Sequence, residues 1–279
     1  MKLKKSRGQH LLTDTGMIGK IVRSAGVGPE DNIIEIGAGT GLLTRELVEK
    51  AGGVTCFEID EDFAPDLKEL DEKHTNLQVR FEDFLDFDLT GHLEAHPQKW
   101  RVVANIPYNI TSPIIRKLVS ARKPNLADVH LLIQREVAER ITASPGNKDY
   151  GRLSVFAQFF CNSRILFTLP PDVFTPPPQV ESALLRMEFK KVVMEVNPRL
   201  YFAVVKAAFA SRRKQIRNNL KNVVPGLKGE HLDRVLDRAG IDRKLRGETL
   251  TLENFKAITD QVASYLEEKG IDPAKAVGS

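Results

Sequence analysis

From residue 32 the chain alternates two hydrophobic periods. Short runs rich in β-branched and aromatic residues, Asn32-Ile33-Ile34-Glu35-Ile36 and Val54-Thr55-Cys56-Phe57-Glu58, flank residues 42 to 50, where apolar positions recur at helical spacing. Further strand-like runs fall at residues 77 to 81, 100 to 104 and 129 to 133, with charged helical or loop stretches between them. Such alternation predicts right-handed βαβ crossovers and a Rossmann-like α/β fold with a mostly parallel, doubly wound sheet. Residues 164 to 169 and 180 to 189 read as two more strands joined through a proline-rich turn, and they are expected to close the sheet as an antiparallel edge. Beyond Asn197-Pro198 only helical periodicity remains, which predicts a larger α/β domain over residues 1 to 195 and a small all-helical domain over 196 to 279.

Charge adds information through its distribution. The 279 residues carry a formal net charge of only +4. Residues 1 to 195 hold 25 Lys and Arg against 27 Asp and Glu, whereas residues 196 to 279 hold 16 against 10. A segregated basic excess of this kind suits contact with nucleic acid phosphates. The two cysteines, Cys56 and Cys161, form no Cys-x-x-Cys pattern, which argues against zinc and against a disulfide framework, and fits buried thiols in a reducing compartment. No metal is expected. The basic start, Met1 to Arg7, is not followed by an apolar run, and no 18 apolar residues occur in succession, so a cytoplasmic protein that neither spans a membrane nor carries a standard secretion signal is expected. Nothing in the pattern calls for more than a monomer.

In doubly wound sheets ligands bind beyond the carboxyl ends of the strands, so the residues following each strand carry the candidate chemistry. Glu35-Ile36-Gly37-Ala38-Gly39-Thr40-Gly41 leaves a strand and opens a helix, and Gly37, Gly39 and Gly41 allow a tight turn with close backbone approach to a ligand. Leu42 stands where a dinucleotide fingerprint needs its third glycine, which counts against a nicotinamide cofactor. Glu58 can accept hydrogen bonds from ribose hydroxyls, and Asp83, after the third strand, can accept one from an adenine amine. The glycine loop contains no Lys or Arg. An adenosine ligand without phosphates meets these conditions, and S-adenosyl-L-methionine is such a ligand.

Asn105-Ile106-Pro107-Tyr108 ends another strand. The Asn105 amide oxygen and the Ile106 carbonyl can both accept from one exocyclic amine, Pro107 restricts the backbone, and Tyr108 offers a ring for stacking. A strand end, a proline turn and a core tyrosine would produce the same four letters, so the tetrapeptide takes its meaning from the other strand ends.

Together these segments resemble a class I methyltransferase, and more narrowly the rRNA adenine N6,N6-dimethyltransferase family of the KsgA type. The resemblance runs through Gly8-Gln9-His10-Leu11-Leu12, the glycine loop, Glu58, Asp83, Asn105 to Asn109, Tyr150-Gly151-Arg152-Leu153-Ser154-Val155, Phe174-Thr175-Pro176-Pro177-Pro178-Gln179-Val180-Glu181-Ser182, and Ala208 to Lys214. It implies that His10, Leu12, Gly37, Glu58, Asp83 and Asn105 contact the methyl donor. The family often has Asn at the place of His10, a change that a backbone contact would survive. It further implies that Phe174 covers the face of the target base opposite Tyr108, and that the substrate is a pair of adjacent adenines near the 3′ end of small-subunit (16S) rRNA, modified during ribosome biogenesis. Two alternatives stay open at this level: a large-subunit (23S) adenine dimethyltransferase of the macrolide-resistance type, and a ribosome-assembly factor whose essential act is binding.

RNA contact is expected from two basic groups. Residues 198 to 221 hold Arg199, Lys206, Arg212, Arg213, Lys214, Arg217 and Lys221 and no acidic residue, while Phe202, Val205, Phe209, Ile216 and Leu220 recur at helical spacing. The apolar stripe is expected to dock on the α/β domain, leaving Lys214, Arg217 and Lys221 on a shared outward face. Lys4, Lys5 and Arg7 form the second group, near His10.

Overall fold

A computed structural model describes residues 10 to 221, 223 to 273, 275 and 276. Lys4, Lys5 and Arg7 therefore lie outside the described residues. The chain forms two compact units, residues 1 to 139 with 161 to 191, and residues 140 to 160 with 192 to 279. The division differs from a single cut after residue 195, because a helical insertion in the middle of the α/β half belongs with the C-terminal helices.

In the first unit, β1 (Leu11–Leu12) precedes α1 (Thr15–Ala25). Asp14 accepts the Met17 N–H at the start of α1, and Gly26, at φ +63°, ends the helix in the left-handed conformation that glycine tolerates. There follow β2 (Asn32–Ile36), α2 (Leu42–Val48), β3 (Gly53–Phe57), α3 (Ala64–Lys73), β4 (Leu77–Arg80), α4 (Leu89–Ala95), β5 (Trp100–Asn105), α5 (Thr111–Ser120), β6 (Leu126–Gln134) and the start of α6 (Arg135–Thr142). After the insertion containing α7 (Arg152–Phe160) come β7 (Cys161–Leu169), β8 (Phe174–Thr175) and β9 (Ser182–Phe189).

Seven strands form one sheet in the order β4-β3-β2-β5-β6-β9-β7. β2 pairs parallel with β3 and β5, β3 with β4, and β5 with β6, whereas β9 runs antiparallel to both β6 and β7. The reversed strand thus sits one place in from the edge: the last strand in the chain inserts between β6 and β7. Strands β2, β5 and β6 read as nearly unbroken apolar runs because both faces of the sheet are covered. Successive crossovers run outward from β2 to β4 and then return to β5 on the other side, so the switch point lies between β2 and β5. The β2–β5 pairing stops at Ile34 and Val102, two residues before β2 ends. β1 and β8 form a separate two-stranded antiparallel ribbon that pairs Leu11 with Thr175 and Leu12 with Phe174.

Arg101 braces the interior of this unit. Its guanidinium meets Asp128 at 2.7 and 3.0 Å and Asp31 at 3.0 Å, and donates to the carbonyls of Ala25 and Gly26 at the end of α1. Burial pushes the Asp128 carboxyl up, and the hydrogen bonds from Arg101 more than offset it, holding the group below the usual range. Cys56 and Cys161 are buried free thiols, and burial pushes Cys161 up to about 12.

The second unit contains α7, α8 (Pro198–Ala208), α9 (Ile216–Asn219), α10 (Glu230–Arg238) and α11 (Leu252–Glu268). Asn197 accepts the Leu200 N–H and Pro198 takes the first helical position, which is why the helix starts there. No single helix spans residues 198 to 221. The buried Asn219 amide donates to the carbonyls of Ala208 and Ser211, satisfying backbone acceptors where α8 stops, and the chain turns before α9. The expected apolar stripe is therefore divided between two helices. Phe202 packs with Phe156, Phe159 and Phe160, all within this unit. Among the described residues no helix is long and apolar enough to cross a membrane.

Candidate active site

A cavity of about 260 Å³ opens at the switch point, lined by residues that follow four strands of the sheet: Gly37 and Gly39 after β2, Glu58 and Ile59 after β3, Asp83 and Phe84 after β4, and Asn105 to Ile110 from the end of β5. His10 and Leu11 line it from the β1 side.

The glycine loop needs its composition. Gly37, Gly39 and Gly41 have φ of +78°, +54° and +75°. Gly37 and Ala38 both donate to the Phe57 carbonyl, which ties the loop to β3. A Cβ on Gly39 would come 2.9 Å from Leu11, and one on Gly41 2.5 Å from Leu70. Beneath the loop, the Thr44 hydroxyl donates to Glu35 at 2.7 Å, linking the strand before the glycines to the helix after them. Glu35 is fully buried, and loss of solvation, aided by nearby Glu58, pushes its carboxyl up to about 8.

Glu58 is held on both oxygens. Oε2 accepts the Gly39 N–H and Oε1 the Asp60 N–H, each at 2.8 Å. Burial raises its pKa, while these backbone hydrogen bonds favour the charged form. Each oxygen retains acceptor capacity, and a carboxylate fixed at two points presents it in a defined direction. Asp83 Oδ1 accepts the Leu85 N–H at 2.8 Å, and Oδ2 faces no hydrogen-bond partner among the described residues.

Asn105 donates from Nδ2 to the His10 carbonyl at 3.1 Å. A carbonyl can only accept, so the contact fixes the amide with its Oδ1 available to a donor. Ile106 and Pro107 line the cavity beside it. The Tyr108 hydroxyl meets the Ser182 Oγ at 2.6 Å, which anchors the far end of the ring, and the Tyr108 backbone carbonyl accepts from the Thr111 hydroxyl. Burial raises the Tyr108 pKa and the Ser182 hydrogen bond opposes it.

Not every expected residue reaches the cavity. Leu12, Gly41 and Phe174 are absent from its wall. Phe174 is 2% exposed and packs in the core with Leu12, and Gly41 abuts Leu67 and Leu70, so its glycine character serves the turn and the packing. Conversely, Ile59 and Phe84, which are not among the expected site residues, line the cavity. Each directly follows a strand-end acid, and Ile59 is 54% exposed despite its apolar side chain, a signal readable at Glu58-Ile59 and Asp83-Phe84. Ser182 ends the proline-rich segment Phe174 to Ser182, and its partnership with Tyr108, 74 residues away, is a tertiary contact.

The expected RNA contacts of the second unit are also redistributed. Arg212 pairs with Glu248 at 3.2 Å and donates to the Lys148 carbonyl. Arg217 forms a two-point pair with Asp233, at 2.5 and 3.0 Å. Lys214 lies in the turn before α9, so it shares no helical face with Arg217 and Lys221. Arg213, Lys214 and Lys221 are exposed and form no ion pair with the described residues.

Among the described residues the cavity wall carries three carboxylates, Glu58, Glu82 and Asp83, and no Lys or Arg. Such a wall disfavours a polyphosphate and accommodates hydroxyl, amine and cationic groups. Its acceptors and glycine turn fit S-adenosyl-L-methionine, the donor used by this class: the doubly wound sheet, with its reversed penultimate strand and this cleft, makes the protein a class I methyltransferase. The ribosomal RNA adenine dimethylase model matches residues 1 to 258, and the chain belongs to that family.

The ribosomal RNA small subunit methyltransferase A of Caldanaerobacter subterraneus subsp. tengcongensis is 42% identical over 272 residues, covering 96% of this chain and 100% of its own length. The protein of the same description from Shouchella clausii is 40% identical, with 95% and 92% covered. Among solved structures, a dimethyladenosine transferase from Plasmodium falciparum matches with a TM-score of 0.78 at 27% identity, covering 94% of this chain and 99% of that one. The 23S rRNA methyltransferase ErmE matches with a TM-score of 0.68, also at 27% identity, covering 90% and 98%.

Proposed function

We propose that this chain dimethylates the exocyclic amines of two adjacent adenines near the 3′ end of small-subunit (16S) rRNA, acting as a cytoplasmic monomer during ribosome biogenesis. The observation that carries the reading is the Asn105 amide, oriented by the His10 carbonyl so that its oxygen is available at a cleft lined by Glu58, Glu82 and Asp83. The curated relatives' description as small-subunit enzymes supports that subunit over the large one.

Bound S-adenosyl-L-methionine supplies an electrophilic sulfonium methyl group. Glu58 accepts from the ribose hydroxyls, Asp83 Oδ2 accepts from the donor's adenine amine, and Ile59 and Phe84 provide apolar surface for its ring. On the acceptor side, Asn105 Oδ1 and the Ile106 carbonyl each accept one N–H of the target amine. The lone pair, otherwise delocalised into the base, is thereby directed toward the methyl group, so the protein's contribution is mainly orientation. Tyr108, held by Ser182, stacks on the unpaired base, a contact worth about 1–3 kcal/mol. After one methylation a single N–H remains, so only one of the two acceptors is engaged and the second transfer is the slower. Arg213, Lys214 and Lys221 contact phosphates, which position RNA without specifying sequence.

The test is incubation of the purified protein and labelled S-adenosyl-L-methionine with small subunits, large subunits and naked rRNA from a strain lacking the endogenous enzyme. Modified bases are then mapped by primer extension. Label at two neighbouring small-subunit adenines is expected; label confined to a large-subunit adenine, or subunit binding without transfer, overturns the reading.

A further inference from the structure

The turn after β4 is held by a cation from another part of the chain. Asp83 Oδ1 accepts the Leu85 N–H, and the carbonyl of the same leucine accepts from Lys117 Nζ at 2.8 Å. The Asp86 N–H closes the turn on the Asp83 carbonyl. Lys117 lies on α5, the helix that follows the cavity-lining residues Tyr108, Asn109 and Ile110. Its side chain is half-buried and forms no ion pair with the described residues, and its ammonium rests 5.6 Å from the centre of the Phe84 ring. An ammonium withdrawn from water without a carboxylate is compensated by a charge-assisted hydrogen bond and an aromatic face, and both of these partners belong to the turn that carries Asp83. Phe84 in turn meets Phe57 at the end of β3 edge-on, with centroids 5.2 Å apart.

We propose that Lys117 is a positioning residue for the methyl donor, fixing the Asp83-Phe84-Leu85 turn so that Asp83 Oδ2 is aimed at the donor's adenine amine. The two hydrogen bonds bracket the Leu85 Cα: the peptide before it orients the Asp83 carboxylate, and the peptide after it is anchored to α5. Without that anchor the turn rotates about the Leu85 backbone, and the carboxylate loses its direction while keeping its charge. Lys117 is absent from the cavity wall, so it acts on the donor only through the turn. The same bond ties the donor-binding turn after β4 to the helix behind the acceptor loop after β5. The inference rests on the reading of Asp83 as acceptor of the donor's adenine amine.

The test compares Lys117→Met, Lys117→Arg and Asp83→Asn with the unaltered protein. Calorimetry measures the affinity of each for S-adenosyl-L-homocysteine and for its analogue in which hydrogen replaces the adenine amine, and thermal melting verifies that each variant folds. The unaltered protein is expected to prefer the amine-bearing ligand about tenfold. Lys117→Met, of similar length and uncharged, should weaken that ligand about fivefold and leave the analogue within about twofold, so that most of the preference disappears. Lys117→Arg keeps a donor for the Leu85 carbonyl and restores most of the loss. With saturating S-adenosyl-L-methionine, kcat and subunit KM of Lys117→Met should stay within about twofold of the unaltered protein. Equal weakening of both ligands in Lys117→Met would show general support of the fold and overturn the proposal. An unchanged preference, or a raised subunit KM with normal donor binding, would overturn it as well. Absence of any preference in the unaltered protein, or a full preference retained in Asp83→Asn, would instead overturn the reading of Asp83 itself, a failure visible without the Lys117 variants.

Discussion

The cleft and the basic segment from Arg199 to Lys221 gather their chemistry in opposite ways. In the cleft, Gly37, Glu58, Asp83 and Asn105 are scattered along the sequence, yet each follows or ends a strand, and parallel pairing brings those ends to one edge of the sheet. In the basic segment the cations are close in sequence, yet Asp233 and Glu248, brought by later elements, engage Arg217 and Arg212. A topological rule fixes where strand ends lie. No comparable rule fixes which long, flexible side chains on a helical surface find partners.

The largest effect expected within this comparison is at Asn105. Asn105→Ala removes the oriented acceptor and should lower kcat by about 10²–10³-fold; single-turnover transfer with saturating donor measures it, and near-normal turnover would break the positioning account. Glu58→Gln comes next. One of its two oxygens becomes an amide that opposes a backbone N–H, so donor affinity should fall about 10–100-fold, as read by calorimetry.

Glu35 sharpens the picture of the loop through stability and pH. Its ordinary value is 4.5 and its folded value is raised to about 8. Below pH 4.5 the group is protonated in both the folded and unfolded chains and costs nothing. As the pH rises, the unfolded chain releases the proton first, so the folded state loses stability between about pH 4.5 and about pH 8. Glu35→Gln should therefore raise stability by about 1–3 kcal/mol at pH 7 and leave it unchanged at pH 4, as followed by denaturant melts. A uniform gain at both pH values would point to packing instead.

The smallest effects belong to the basic segment. Lys214→Ala should weaken RNA binding a few-fold and reduce the salt dependence of log K by about one contact. Arg217→Ala should leave that slope unchanged, because its guanidinium already faces Asp233. Equal slopes for the two variants would show that the ion pair opens on RNA, and would erase the contrast between the two regions.

Much of the α/β unit was readable beforehand because strand runs and helix signals are local. Asn32 to Ile36 is both the expected and the observed strand, and Asn197-Pro198 begins a helix as its capping chemistry requires. The insertion of β9 between β6 and β7 was not readable, since strand order depends on which edge remains open when the last strand arrives. The withdrawal of Phe174 into the core escaped the sequence for a related reason: Leu12 and Phe174 pair across a two-residue ribbon whose partners are 162 positions apart. The break after Ala208 depends on Asn219, whose amide satisfies the carbonyls of that turn only once the chain has folded back.

Local periodicity, capping and strand-end chemistry determined the α/β alternation, the glycine loop and the acceptor groups of the cleft, because each depends on residues a few positions apart. Tertiary structure alone decided that the His10 carbonyl holds the Asn105 amide, that Ser182 holds the Tyr108 hydroxyl, and that Arg212 and Arg217 are paired. Those contacts join distant segments, and their geometry depends on how the packed elements bring the segments together.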